Sequence, residues 1–202
     1  DTKAGKFLPR KAAYGISMTI ERRALQGLEI KRGLITGRAV VYNSRSEDLG
    51  GFVEVIAPYA FKDALKNDVR ALIEHDPSKI LGRTSAGTLR LIEDSNGILV
   101  EITPPNTRTA DELIESISRG DIQGMSFGFS VPQGADEWNV ETDPALRTVN
   151  KALLHEVTIT ALPAYSETDV AVAKRSLEQH TEYRRIDAAI DRLTQFIEVN
   201  NL

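Results

Sequence analysis

Apolar and polar positions alternate with a period of two over much of this chain, the pattern of strands buried on one face. The first such run falls within residues 14–22, at Ile16, Met18 and Ile20. Residues 28–42 carry β-branched side chains interrupted by Gly33 and Gly37, which predicts a long bent strand or a pair of strands. Phe52-Val53-Glu54-Val55-Ile56 reads as the next strand. Others are expected at 69–73, 80–83, 88–92 and 98–102. The last two face each other across Asp94-Ser95-Asn96-Gly97, a hairpin turn because Asn-Gly accepts positive φ. Residues 148–162 predict one long strand ended by Pro163, and residues 171–173 a short final one.

The period changes to that of a helix in three places. Pro58 suits the first position of a short helix over 59–66, where Phe61 and Leu65 share a face. Leu113, Ile114 and Ile117 give a second helix its apolar side. Thr109 and Glu112 have capping-box spacing ahead of it, and Gly120 stands where a C-terminal glycine belongs. From Ser176 onward, Leu177, Tyr183, Ile186, Ala189, Ile190, Leu193 and Ile197 recur at helical spacing opposite a charged face. That predicts an amphipathic helix of about five turns, which either packs on its own domain or pairs with another chain. Residues 43–51 and 132–146 read as polar loops, the second holding Trp138.

Three parts follow: a basic N-terminal segment, 1–13; a domain, 14–175; and the C-terminal amphipathic helix, 176–202. Many short strands without regular strand–helix alternation imply a mainly β (α+β) domain, an antiparallel β-barrel or sandwich with peripheral helices.

Composition narrows the functional classes. A chain of 202 residues with 41% hydrophobic content can bury a core. A net charge of −4 offers no general basic footprint for nucleic acid. No apolar run approaches the roughly 20 residues of a membrane span. Without cysteine there is neither disulfide nor thiol catalysis, and three histidines with no close pair argue against structural zinc. The chain begins at Asp1 and not at methionine, as a processed or trimmed chain would.

The candidate chemistry centres on Gly124-Met125-Ser126-Phe127-Gly128-Phe129-Ser130, an uncharged stretch in a chain that is 27% charged. Two readings are open. Ser126 is a nucleophile where a slim backbone admits substrate, or this is a glycine-relieved strand whose serine bonds its neighbours. The spacing matches the G-x-S-x-G nucleophile elbow, but that elbow needs a strand before the serine and a helix after it. Here a helix precedes and a strand follows, so an α/β-hydrolase is rejected. A serine nucleophile needs a base, usually a histidine oriented by a third group. His75 lies in a polar corner with Glu74 and Asp76, His155 inside the long strand, and His180 in the terminal helix. Strict alternation would put His155 with Leu153 and Val157, and Glu156 with Leu154, Thr158 and Thr160 on the other face. A carboxylate in so apolar a strand needs a partner, a histidine or an arginine.

Gly37-Arg38-Ala39-Val40-Val41-Tyr42-Asn43, Phe52 through Phe61, Glu74-His75-Asp76, Leu81-Gly82-Arg83, Gly87-Thr88-Leu89, Gly124 through Phe129, and Glu156-Val157-Thr158-Ile159-Thr160 before Pro163-Ala164-Tyr165 come in that order. The set resembles the prohead proteases of tailed phages, the capsid-maturation serine proteases. The resemblance implies a fold like the herpesvirus assemblin proteases, an antiparallel β-barrel ringed by helices. It implies an endopeptidase acting inside the assembling prohead in the host cytoplasm. Its partners would be scaffold or the major capsid protein precursor, and it would cut itself as well. Carried over by residue, the resemblance makes His75 the base, Ser126 the nucleophile and Glu156 the orienting acid, with Thr158 in place of the usual serine. His155 is the alternative third member, as the herpesvirus relatives use a second histidine there. The resemblance further implies an oxyanion hole near Ala164-Tyr165, no metal or organic cofactor, and a homo-oligomer. The competing class is a non-catalytic scaffolding protein that binds capsid subunits through its helical tail.

Overall fold

In a computed structural model of the chain, the structure describes residues 20–161 and, in the C-terminal segment, 177–178, 181–182, 185–186 and 188–196. The strands are β1 (Glu21–Gln26), β2 (Glu29–Lys31), β3 (Leu34–Val41), β4 (Phe52–Ile56), β5 (Arg70–Ile73), β6 (Asp76–Arg83), β7 (Leu89–Asp94) and β8 (Gly97–Ile102). Helix α1 (Arg108–Ser118) follows, then β9 (Gly124–Ser130), β10 (Asp136–Asn139), β11 (Ala145–Val149) and β12 (Leu153–Thr160).

They form three hydrogen-bonded sheets, in the orders β1-β9-β12-β5-β6, β10-β11-β4 and β2-β3-β8-β7. The mainly β, α+β class expected from the pattern holds among the described residues. The single closed antiparallel barrel does not emerge from the hydrogen bonds. Among the described strands no sheet closes on itself, and two pairings, β12 with β5 and β11 with β4, are parallel. Periodicity reports which face of a strand is buried but not which neighbour it bonds, so pairing direction was out of its reach.

Local departures have local causes. The stretch 28–42 resolves into the antiparallel pair β2–β3. The helix expected over 59–66 is a series of turns ending in a single 3₁₀ turn, Ala64–Lys66, because Tyr59 takes a positive φ of 61°. Phe61 is buried nonetheless. Helix α1 is capped by Thr107, whose hydroxyl accepts from the Ala110 amide, and not from the Thr109–Glu112 box; Gly120 closes it with φ 82°. The expected loop 132–146 contains strand β10, and the expected strand 148–162 is two strands, β11 and β12. The β7–β8 hairpin forms as expected, and Gly97 answers a second demand there. A Cβ on it would stand 1.9 Å from the Val40 carbonyl oxygen, so the hairpin can lie on β3 only with glycine at this position.

One face of the five-stranded sheet is the core. Met125, Phe127 and Phe129 of β9 join Leu154, Val157 and Ile159 of β12, and Phe61 packs edge-on to Phe127 and Phe129 at 5.9 and 6.0 Å between centroids. Each such side chain fully buried contributes about 1.5–3 kcal/mol. A buried ionic cluster ties this sheet to the three-stranded one. Arg23 of β1 donates to Glu54 of β4 at 2.8 Å and to Glu21 at 2.9 Å. Arg147 of β11 donates to Glu21 at 2.7 Å, to Glu54 at 2.9 Å and to Asp136 of β10 at 2.8 Å. Burial alone would lower both guanidinium pKa values, but the carboxylates outweigh it and hold them above the ordinary arginine value.

The described residues from 177 to 196 are helical, as the amphipathic pattern predicts. Leu177 packs against Leu49, Phe52 and Trp138, whereas Ile186, Ile190, Leu193 and Phe196 are exposed. His180, the oxyanion-hole candidates Ala164-Tyr165 and the strand expected at 171–173 lie outside the described residues, as does the segment 1–13.

Candidate active site

The face of the five-stranded sheet opposite its aromatic core carries a set of polar side chains in rows. Ser126 of β9 is paired with Ala24 of β1 on one side and Thr158 of β12 on the other. In the next row Arg22 of β1, Gly128 of β9, Glu156 of β12 and Arg70 of β5 are in register. Ser126, Glu156, Thr158 and Thr160 are all buried. Ser126 and Glu156 are therefore diagonal neighbours on adjacent strands, which in general stand about 7–8 Å apart, a gap that one imidazole ring can bridge.

That ring comes from the β5–β6 connection. Ile73 pairs with Asp76, so the loop is the two residues Glu74 and His75. Both take positive φ, 53° and 56°, as a type I′ hairpin demands and as Asn-Gly would supply without strain. Two non-glycine residues in this region cost about 1–3 kcal/mol each and persist only where their surroundings hold them. Strand β12 does the holding. The His75 amide donates to the Thr158 hydroxyl at 2.9 Å, and the Glu74 amide to the Ile159 carbonyl at 2.9 Å. The Glu74 carboxylate accepts from the Thr160 hydroxyl at 2.8 Å and from the Ala161 amide at 2.6 Å. So fixed, His75 places Nδ1 2.5 Å from Glu156 Oε1. Glu156 has space for this because β9 carries a glycine opposite it: a Cβ on Gly128 would lie 2.7 Å from Glu156 Oε1.

The structure thus joins two of the three expected residues, His75 and Glu156, and puts Ser126 on the same face one row away. Among the described residues no hydrogen bond joins Ser126 to His75. The arrangement for His155 differs from strict alternation. The β9–β12 register shifts between Leu154 and Glu156, so Leu154 pairs with Phe129 on the core side while Glu156 pairs with Gly128 on the polar side. His155 is the extra residue of this bulge, and its Nε2 lies 2.8 Å from Ser130 Oγ. Ser130 shares the polar side of β9, so His155 serves a different serine from Ser126. Burial lowers the His155 pKa, with Glu156 opposing the shift, so its imidazole favours the neutral form.

Sequence reasoning named Glu74, Thr160 and Gly128 without giving them a role in the site, and gave none to Arg22. A signal existed for the threonine. Glu156, Thr158 and Thr160 form a polar stripe in an otherwise apolar strand, and buried polar groups need partners. Among the described residues no group of His, Cys, Asp or Glu is arranged to hold a metal ion, and no helix is long and apolar enough to cross a membrane.

Comparison with known proteins bears on the whole of this region. The prohead protease of Enterobacteria phage HK97 is 30% identical over 146 residues, 71% of this chain. The aligned part spans 61% of that relative's own length. No solved structure matches the chain. The family model described as caudovirus prohead serine protease matches residues 18–183, which takes in all twelve strands and the rows around Ser126. On that match the chain belongs to the caudovirus prohead serine protease family.

Proposed function

We propose that this chain is a serine endopeptidase of phage prohead maturation, with Ser126 as nucleophile, His75 as general base and Glu156 as the group that orients the base. The observation that carries the reading is the 2.5 Å contact between His75 Nδ1 and Glu156 Oε1, on the sheet face that also holds Ser126. With Nδ1 committed to the carboxylate, Nε2 is the ring nitrogen left to take the Ser126 proton. Ser126 Oγ then attacks the peptide carbonyl, His75 protonates the departing amine, and water enters by the same route in reverse. Glu156 keeps one tautomer of the imidazole and stabilises the imidazolium. The oxyanion would be held by backbone N–H groups.

The substrate class is the major capsid protein precursor or scaffold, within the assembling prohead in the host cytoplasm, with self-cleavage as a further activity. The chain would act as a homo-oligomer. The reading includes an assemblin-like architecture, the three sheets wrapping together as a barrel; an experimental structure with the sheets splayed apart rejects that part alone.

The test is incubation of the chain and its Ser126→Ala variant with a matching capsid precursor, read by intact-mass spectrometry. Wild type should produce new fragments, and the variant should be slower by roughly 10⁶-fold, as when a triad nucleophile is lost. A variant that cuts at the wild-type rate rejects Ser126 as nucleophile. Absence of cutting by either chain, together with no labelling of Ser126 by a serine-directed phosphonate, favours the scaffolding alternative, for which the exposed apolar side of the terminal helix would be the binding surface.

A further inference from the structure

Arg22 stands in the same row as Glu156, one strand beyond Gly128. Its Nε lies 3.9 Å from Glu156 Oε1, too far for a hydrogen bond. Two polar atoms at this spot are buried without a hydrogen-bond partner: Arg22 Nε and Glu156 Oε2. One is a donor, the other an acceptor, and they belong to neighbouring side chains. Native structures rarely leave such groups unpaired, and each one calls for an explanation, a catalytic role among them.

The approach is arranged by the surrounding residues. Arg23 is turned into the buried ionic cluster and also donates to the Arg22 carbonyl at 2.7 Å, which anchors β1 at this position. Alternation then directs Arg22 to the polar face. Gly128, having no side chain, lets the Glu156 carboxylate lie over β9, its Oε1 2.7 Å from where a Cβ would stand, and so come toward the guanidinium from β1. Arginine is suited to such a place, since it stays charged when partly buried and offers several donors in a plane. The Arg22 side chain is 37% exposed, so its outer end remains able to move.

We propose that Arg22 is a positioning residue for the His75–Glu156 pair: over Gly128 its guanidinium meets the free oxygen of Glu156 and fixes the carboxylate with its other oxygen on His75. The inference rests on the proposed roles of Ser126, His75 and Glu156. Around the pair, Arg70 of β5, His155 of β12, and Glu74 and Asp76 beside His75 are the same in every variant, so a cation at Arg22 has two effects of known sign. It stabilises the carboxylate, and it disfavours a second positive charge on His75. Loss of Arg22 therefore makes His75 easier to protonate and moves the acid limb of the kcat/KM profile to higher pH. Lysine would keep the charge and lose the planar donor set.

The experiment compares wild type, Arg22→Gln and Arg22→Lys as full chains, on a peptide spanning a cleavage site found with the capsid precursor. Arg22→Gln is expected to lower kcat by on the order of tenfold or more with KM little changed, as a misplaced catalytic group does, and to raise the acid limb by about one pH unit. Arg22→Lys should return the limb to the wild-type position while recovering kcat only in part. A titration of His75 followed by NMR in the same chains reads the shift without turnover. An unmoved limb and unmoved His75 titration in Arg22→Gln overturn the proposal, whatever happens to kcat, because damage to the fold alone would lower kcat without moving the limb back in Arg22→Lys. If Ser126→Ala abolishes cleavage and Arg22→Gln leaves the limb in place, the positioning role fails and the protease reading survives. If Ser126→Ala still cleaves, the protease reading itself fails.

Discussion

At the scale of the residue, His155 shows how burial gives one side chain a pH dependence. It sits in the β12 bulge, bonded to Ser130, and burial holds its pKa below the ordinary histidine value near 6.5. In the unfolded chain the imidazole returns to that ordinary value. As pH falls through about 6.5, the unfolded state takes up the proton first, so folding stability drops until the folded-state pKa is passed. His155→Gln retains a hydrogen-bonding side chain but cannot titrate. Urea unfolding at a series of pH values from 7.5 to 5, each about half a unit apart, should show wild type losing stability that the variant keeps. Parallel curves for the two would sink this account. The same scale explains why the candidate site was only partly legible in the sequence. Ser126 was visible because glycines flank it in an uncharged stretch. The pairing of His75 with Glu156 was not, because they stand 81 residues apart in the chain. Resemblance named them; the two-residue hairpin and the bulge bring them within 2.5 Å.

At the scale of the element, the three sheets are joined by contacts that no single strand reveals. Arg147 of β11 reaches Glu21 of β1, Glu54 of β4 and Asp136 of β10, and it is 2% exposed. Arg147→Ala leaves two buried glutamates short of a counter-charge, and removing one partner of such a cluster costs about 3–5 kcal/mol. Denaturant unfolding of the variant should register a loss of that size, and a loss under about 1 kcal/mol would show that the cluster is solvated or that it rearranges. Glu54 shares the buried face of β4 with Phe52 and Ile56, but a lone carboxylate in a strand does not name its partner. Elements with a strong period were read correctly in kind: the β7–β8 hairpin, α1 and the terminal helix. Those that failed did so for reasons of backbone or neighbour. Tyr59 at positive φ stopped a helix that Pro58 seemed to start, and β10 pairs with β11 through residues too polar to signal a strand.

At the scale of the whole molecule, the C-terminal helix carries exposed apolar side chains. Leu177 is covered by Leu49, Phe52 and Trp138, while Ile190, Leu193 and Phe196 are 56%, 65% and 63% exposed. The proposed homo-oligomer would bury this apolar side, and Leu193→Glu would set a charge within it. Sedimentation over a range of concentrations should find wild type self-associating and the variant monomeric, with cleavage falling in step. A wild-type chain that stays monomeric and fully active rules the oligomer out.

The sequence by itself determined the β-rich class, the existence and C-terminal end of α1 and the family to which its ordered motifs belong. These depend on local periodicity, on turn chemistry and on short stretches that keep their order along the chain. Only the tertiary structure decided the pairing: three sheets with two parallel junctions where an antiparallel barrel was expected, a slip at His155 that sends Leu154 and Glu156 to opposite sides, and a strained Glu74-His75 turn held by β12. The physical reason is that a strand's hydrogen bonds are alike whichever neighbour accepts them. The choice rests on side chains distant in sequence that fit only when the strands have come together.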